Sequence, residues 1–124
     1  MSVHLNDGDY RKIEISSVDP SILDLIGDGE VRCYEGDRYY HLFCRSKYCE
    51  VHKSRDGDGW HSFSAYYRNV VSIQTNPLMK SGDHTMPGMV VCFQSGDCLD
   101  VTMGSWDDVV GLMRFIEAGM PGMV

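Results

Sequence analysis

The sequence lacks most of the features that identify a known class of protein. It contains no Gly-x-Ser-x-Gly nucleophile motif, no phosphate-binding glycine loop and no metalloprotease helix motif. No apolar stretch approaches the ~20 residues that a membrane-spanning helix needs, and the first residues show no signal-peptide pattern. These absences argue against an enzyme and a membrane protein, and we expect a non-enzymatic, cytoplasmic protein without a metal or other cofactor.

Positive charge is scarce as well. The 124 residues include 11 lysines and arginines against 18 aspartates and glutamates, which gives a net charge of −7. Nucleic acids and anionic membranes repel a negative surface, so we expect neither as a primary partner. The five cysteines are an odd number, which favours reduced thiols over a fully paired secreted framework. The length predicts a single domain over residues 1–124.

Most of the chain has the pattern of short strands. Tyr10–Ser16 alternates between apolar and charged residues, and Asp19–Gly27 has the cap, proline and stop glycine of a two-turn helix. Asp56–Gly59 is a strong turn signal. Asn76–Gly88 has two prolines and no periodicity, which predicts a long loop. Further strands are predicted over residues 31–34, 38–45, 48–54, 60–67 and 69–75.

The C-terminal third carries the clearest pattern. A three-residue turn around Ser95–Gly96 predicts a hairpin over residues 89–103, with Cys92 and Cys98 as cross-strand neighbours. Its apolar face comprises Met89, Val91, Phe93, Leu99, Val101 and Met103. Ser105 and Gly119 are suitable first and last caps of the helix that follows. The apolar stripe of this helix comprises Trp106, Val109, Val110, Met113 and Ile116.

These elements predict an α+β protein. We expect an antiparallel β-sheet or partly open barrel of about seven to eight strands, with a short N-terminal helix and a packed C-terminal helix. Many strands followed by one terminal helix resemble, at the level of architecture only, pleckstrin-homology-type barrels, from which the early helix departs. A resemblance of fold does not carry a function.

Four potential zinc ligands lie close together in the sequence: His41, Cys44, Cys49 and His52. A two-residue turn at Ser46–Lys47 would place Cys44 opposite Cys49 and His41 opposite His52. Because positions 41 and 44 differ by an odd number, the cysteine pair and the histidine pair would point to opposite faces of the hairpin. We therefore predict no metal site.

Charged residues suggest two binding functions. Two acid-rich stretches predict a partner-binding surface made of Asp24, Asp28, Glu35, Asp37, Asp107 and Asp108. Carboxylates of this kind bind a groove rich in Arg and Lys, so we expect stoichiometric association with a basic protein partner, as in inhibitors of the toxin-immunity or phage anti-defence type. The alternative is a ligand- or nucleotide-binding module, either monomeric or homo-oligomeric, that uses a strip of Arg38, Tyr39, Tyr40, Arg45 and Tyr48.

Overall fold

The computed structural model describes residues 2–27, 29–54 and 59–121. Within these ranges the chain forms nine strands and one α-helix. The strands are β1 (Ser2–Leu5), β2 (Tyr10–Ile13), β3 (Arg32–Gly36), β4 (Tyr39–Phe43), β5 (Lys47–Lys53), β6 (Trp60–Tyr66), β7 (Val70–Ser81), β8 (His84–Phe93) and β9 (Cys98–Thr102). The helix α1 is Trp106–Ala118, and shorter 3₁₀ segments occur at Ile15–Ser17, Pro20–Leu25 and Tyr67–Asn69.

The nine described strands form two sheets rather than a closed barrel. One sheet has the order β1-β9-β8-β7 and the other has the order β2-β3-β4-β5-β6. All pairs are antiparallel except β1 and β9, which run parallel with Val3 opposite Leu99. The α+β class with a C-terminal helix is confirmed. The predicted strand number is too low, because β1 has only four residues and little periodic pattern.

The main core lies where the two sheets and α1 meet. All six apolar residues predicted for the inner face of the last hairpin are buried. Helix α1 packs on β8 and β7, and its buried stripe is Val109, Leu112 and Ile116. Leu112 was missing from the predicted stripe, whereas Trp106, the first helical residue, stays 39% exposed. The buried stripe of α1 is therefore centred on Leu112, which lies at helical spacing from Val109 and Ile116.

A second core covers the outer face of the five-stranded sheet. Val18, Ile22 and Ile26, from the segment between β2 and β3, pack there against Leu42 and other buried strand residues. The predicted two-turn helix in this segment is the 3₁₀ helix Pro20–Leu25, and it follows the second strand rather than the first. Its N-cap is as predicted, because the Asp19 carboxylate accepts a hydrogen bond from the Ser21 backbone N–H at 2.9 Å.

The prediction of a long loop over Asn76–Gly88 is wrong. Most of this stretch belongs to the hairpin formed by β7 and β8, which reverses at Gly82 with a φ of 62°. The pairing shifts between Asn76 and Met79, around Pro77. This irregularity interrupts the alternation of side chains, and the exposed Leu78 puts an apolar residue outside the core, so no period of two was visible. Of the predicted turn at Asp56–Gly59, residues 56–58 lie outside the described residues.

The hairpin of β4 and β5 reverses one residue earlier than predicted. Leu42 lies opposite Cys49, and the Cys44 N–H donates to the Lys47 carbonyl at 2.8 Å, so the turn residues are 45 and 46. This register places Tyr48 opposite Phe43, and both side chains are buried in the main core. The separation of the cysteines from the histidines follows the predicted parity, because Cys44 and Cys49 lie in the second core while His41 lies on the inner face with Tyr48.

No helix in the described part of the chain is long and apolar enough to cross a membrane.

Candidate acidic binding site

The larger of two neighbouring cavities lies between β1 and the β3–β4 hairpin. Its volume is about 690 Å³, and Asp9, Asp37 and Glu50 are its acidic lining residues. Val3, His4, Gly36, Tyr39 and His41 complete the wall. Gly36 allows the turn after β1 to lie close to this hairpin, because a Cβ at this position would be 3.3 Å from the Asp9 carbonyl oxygen. The described lining thus contains three carboxylates and no lysine or arginine.

A buried histidine forms part of this cavity. His41 is 8% exposed, and its Nδ1 lies 2.8 Å from the Tyr48 hydroxyl. Burial disfavours the charged imidazolium and lowers the pKa of His41 to about 4. The ring is stacked between Tyr39, with centroids 6.1 Å apart, and Tyr48, with centroids 6.3 Å apart. His41 is therefore a neutral part of the wall at pH 7.

Glu50 is the least exposed of the three carboxylates. Its side chain is only 14% exposed, whereas Asp9 and Asp37 are exposed residues. Burial raises the pKa of Glu50, and the nearby His52 lowers it in part. The His52 Nδ1 lies 4.0 Å from the Glu50 carboxylate, too far for a strong hydrogen bond. A carboxylate that has lost water without gaining a close cationic partner is stabilised when a cation enters the cavity.

The smaller cavity lies at the N-terminal end of α1. Its volume is about 260 Å³, and its charged lining consists of Asp7, Asp107, Asp108, Lys12 and Arg32. The two helix aspartates stand in the first turn of α1, where the helix dipole stabilises negative charge. Lys12 and Arg32 balance part of this charge, so the smaller cavity is less strongly acidic than the larger one.

One short turn connects the two cavities. Residues 6–9 join β1 to β2, and they contribute Asp7 to the smaller cavity and Asp9 to the larger one. The Asp7 backbone N–H donates to the Thr102 Oγ1 at 2.9 Å, and the Tyr10 hydroxyl donates to the Thr102 carbonyl at 2.7 Å. These bonds attach the turn to the end of β9. The two cavities therefore form one acidic end of the molecule.

The structure brings together only some of the predicted acidic residues. Asp37 lines the larger cavity, and Asp107 and Asp108 line the smaller one. Glu35 forms an exposed ion pair with Arg11 at 2.7 Å. Asp24 lies in the 3₁₀ helix that covers the outer face of the five-stranded sheet, and position 28 lies outside the described residues.

Sequence reasoning missed three carboxylates of the site. Asp7 and Asp9 flank Gly8, which has a φ of 96°, so the Asp-Gly-Asp pattern was a usable signal for a turn with two exposed carboxylates. Glu50 gave no such signal, because only the register of β4 and β5 places it opposite His41.

The predicted strip of Arg and Tyr residues is not one surface. Tyr39 and Tyr40 alternate along β4, so Tyr39 reaches the larger cavity while Tyr40 packs near Trp60 on the opposite face, with ring centroids 5.6 Å apart. Tyr48 is buried, with 1% exposure. Arg45 lies in the β4–β5 turn, at the other end of the hairpin from Arg38.

A third cavity contains what remains of that strip. It has a volume of about 260 Å³ and is lined in part by Arg38, Tyr39, Tyr40, Lys53 and Trp60. Glu35 and Asp37 also line this cavity, which makes its charge mixed. Among the residues that the structure describes, no group of three His, Cys, Asp or Glu side chains is arranged to hold a metal ion.

Comparison with known proteins identifies the fold and no more. No family model matches the chain, and neither does any curated protein. A solved structure that resembles it is a DUF1696 family protein with a pleckstrin-homology domain from Shewanella loihica. The similarity has a TM-score of 0.65 at 17% sequence identity, and it covers 88% of this chain and 95% of the other. The chain therefore shares the fold of that protein, in agreement with the architectural resemblance seen in the strand order.

Proposed function

We propose that this protein is a non-enzymatic binding domain that associates with a basic protein partner through its acidic end. The observation that carries the proposal is the convergence of carboxylates from distant parts of the chain on two cavities joined by one turn. They are Asp7, Asp9, Asp37, Glu50, Asp107 and Asp108. The inhibitor, immunity or anti-defence type is the class of protein that we have in mind.

The larger cavity is the better receptor for a cationic side chain. It combines the partly buried Glu50 with the more exposed Asp9 and Asp37. An arginine or lysine that enters it would pair with carboxylates that face no lysine or arginine within the described lining. Tyr39, which also lines the cavity, supplies an aromatic ring, and such rings attract cations.

The proposal is tested with a short fluorescein-labelled oligoarginine peptide and fluorescence anisotropy. The double variant Asp9→Asn/Asp37→Asn removes two carboxylates of the larger cavity and should weaken binding roughly tenfold at low salt, since each exposed charge pair contributes up to about 1 kcal/mol. The affinity of the wild-type protein should also fall as sodium chloride screens the attraction.

The matched control is Asp24→Asn/Glu30→Gln, which changes the net charge by the same amount away from both cavities. This control should bind the peptide within about twofold of the wild-type protein. Melting temperatures measured for both variants separate a loss of binding from a loss of folding. Equal weakening in the two double variants would overturn the proposal, because it would mean that only the overall charge attracts the peptide.

A ligand- or nucleotide-binding function is the second candidate. It is favoured by the third cavity, where Arg38 and Lys53 lie beside the aromatic pair of Tyr40 and Trp60. In this case AMP should raise the melting temperature of the wild-type protein, and Arg38→Ala should abolish the increase. Absence of any increase at millimolar AMP would argue against this candidate.

A further inference from the structure

Two cysteines occupy directly opposite positions near the end of the last hairpin. Cys92 of β8 pairs with Cys98 of β9, and their Sγ atoms lie 2.6 Å apart. The Phe93 N–H donates to the Asp97 carbonyl at 2.9 Å, which makes Phe93 and Asp97 a hydrogen-bonded pair. The adjacent Cys92–Cys98 pair is then of the non-hydrogen-bonded type, in which opposing side chains approach most closely.

The local backbone holds this pair in place. Phe93 and Asp97 enclose a three-residue turn that ends at Gly96, with a φ of 93°, as is typical of hairpins with a glycine bulge. On the inner side, Phe93 and Leu99 are buried in the main core. Because side chains alternate along a strand, their neighbours Cys92 and Cys98 point to the outer face of the sheet.

The other three cysteines are in a different environment. Cys33, Cys44 and Cys49 are each 1% exposed in the second core, whereas Cys92 and Cys98 are partly exposed. Burial raises the pKa of Cys33 and raises that of Cys44 to about 12, so these thiols are poor nucleophiles at neutral pH. An oxidant dissolved in water therefore meets the outer pair before the buried thiols.

We propose that Cys92 and Cys98 form a redox modification site that is oxidised reversibly by low-molecular-weight disulfides. One thiolate attacks a sulfur of the small disulfide, which forms a mixed disulfide and releases one small thiol. The second cysteine then attacks the protein sulfur, which forms the Cys92–Cys98 bond and releases the second small thiol. The protein loses two hydrogens and two electrons, and the small disulfide gains both.

The test uses the purified protein and oxidised glutathione. The pKa of Cys98 is raised because a hydrogen bond with Cys92 favours the protonated thiol, so the reaction is run at about pH 8.5, near the ordinary pKa of a cysteine thiol. The protein should lose about 2 Da without a bound glutathione, and dithiothreitol should restore the mass. After unfolding, three thiols rather than five should react with iodoacetamide. Peptide mapping should locate the bond at Cys92 and Cys98.

Variants distinguish this pair from other thiols. Cys92→Ser should retain a stable glutathione adduct on Cys98 and show no loss of 2 Da, whereas Cys44→Ser should be oxidised like the wild-type protein. The oxidised wild-type protein should also melt roughly 5 °C or more higher, because the new bond restricts the unfolded chain. A stable glutathione adduct on the wild-type protein, or a bond that involves a buried cysteine, would overturn the proposal.

Discussion

Acidification should destabilise this protein through a single buried histidine. His41 is buried against the Tyr48 hydroxyl and is neutral in the fold at pH 7. In the unfolded chain it is exposed to water and has an ordinary pKa of 6.5. Between pH 6.5 and pH 4 the unfolded chain therefore binds a proton that the folded protein does not bind. Stability falls as the pH falls through this interval.

The size of this effect follows from the two pKa values. With 6.5 for the unfolded chain and about 4 for the fold, linkage gives a loss of about 2 kcal/mol between pH 7 and pH 5. The loss reaches about 3 kcal/mol below pH 4. Glu50, in the same cavity, acts in the opposite direction, because its pKa is raised in the fold and the folded protein keeps its proton to a higher pH. His4, Asp9 and Asp37 also line the cavity.

Urea unfolding at pH 7 and pH 5 measures the contribution of His41 when the wild-type protein is compared with His41→Phe. The phenylalanine ring keeps the position between Tyr39 and Tyr48 but does not titrate, and the carboxylates contribute equally to both proteins. The loss on acidification should be about 2 kcal/mol smaller in His41→Phe. His84→Gln, at the exposed first residue of β8, should keep the wild-type dependence on pH. The same pH dependence in His41→Phe and wild type would refute the reasoning.

Two further substitutions test the packing. Leu112→Asp should unfold the domain, because it buries an unpaired charge beneath α1, whereas the exposed Arg114→Ala should change the free energy of unfolding by less than about 0.5 kcal/mol. Thermal melts followed by circular dichroism test this difference, and equal melting temperatures would contradict the position of the helix. Tyr67→Phe should leave stability unchanged or raise it by about 1 kcal/mol, because the Tyr67 hydroxyl is buried without a hydrogen-bond partner among the described residues. A clear loss of stability in urea would indicate that this hydroxyl has a partner.

How well an element can be predicted from the sequence depends on whether one of its faces is buried and the other is exposed. The last hairpin and α1 each bury one side, so their periodic patterns are strong and their positions were predicted closely. The projecting part of β7 and β8 has exposed residues on both faces, including Leu78, and no alternation indicates its pairing. The parallel pairing of β1 with β9 joins residues from the two ends of the chain, and local patterns carry no information about such a contact.

The candidate site was predicted in part for the same reason. The acidic character of Asp37, Asp107 and Asp108 was visible in the sequence, but their convergence depends on contacts between distant elements. The strip of tyrosines and arginines is not one surface because side chains alternate between the two faces of β4 and because Tyr48 is buried in the main core. Arg45 also lies at the opposite end of the hairpin from Arg38.

If the proposed function is correct, binding of a partner to the acidic end would depend on the pairing of β1. The turn after β1 holds Asp7 and Asp9, and Thr102 of β9 holds that turn through a hydrogen bond to the Asp7 backbone. The contact between His4 Nδ1 and the Asp100 carboxylate, at 2.9 Å, joins the same two strands. A partner that binds carboxylates of this turn and of the β3–β4 hairpin together would favour the conformation in which β1 is paired with β9. Binding and the local stability of β1 are then linked, because any ligand that binds only the paired state increases the population of that state.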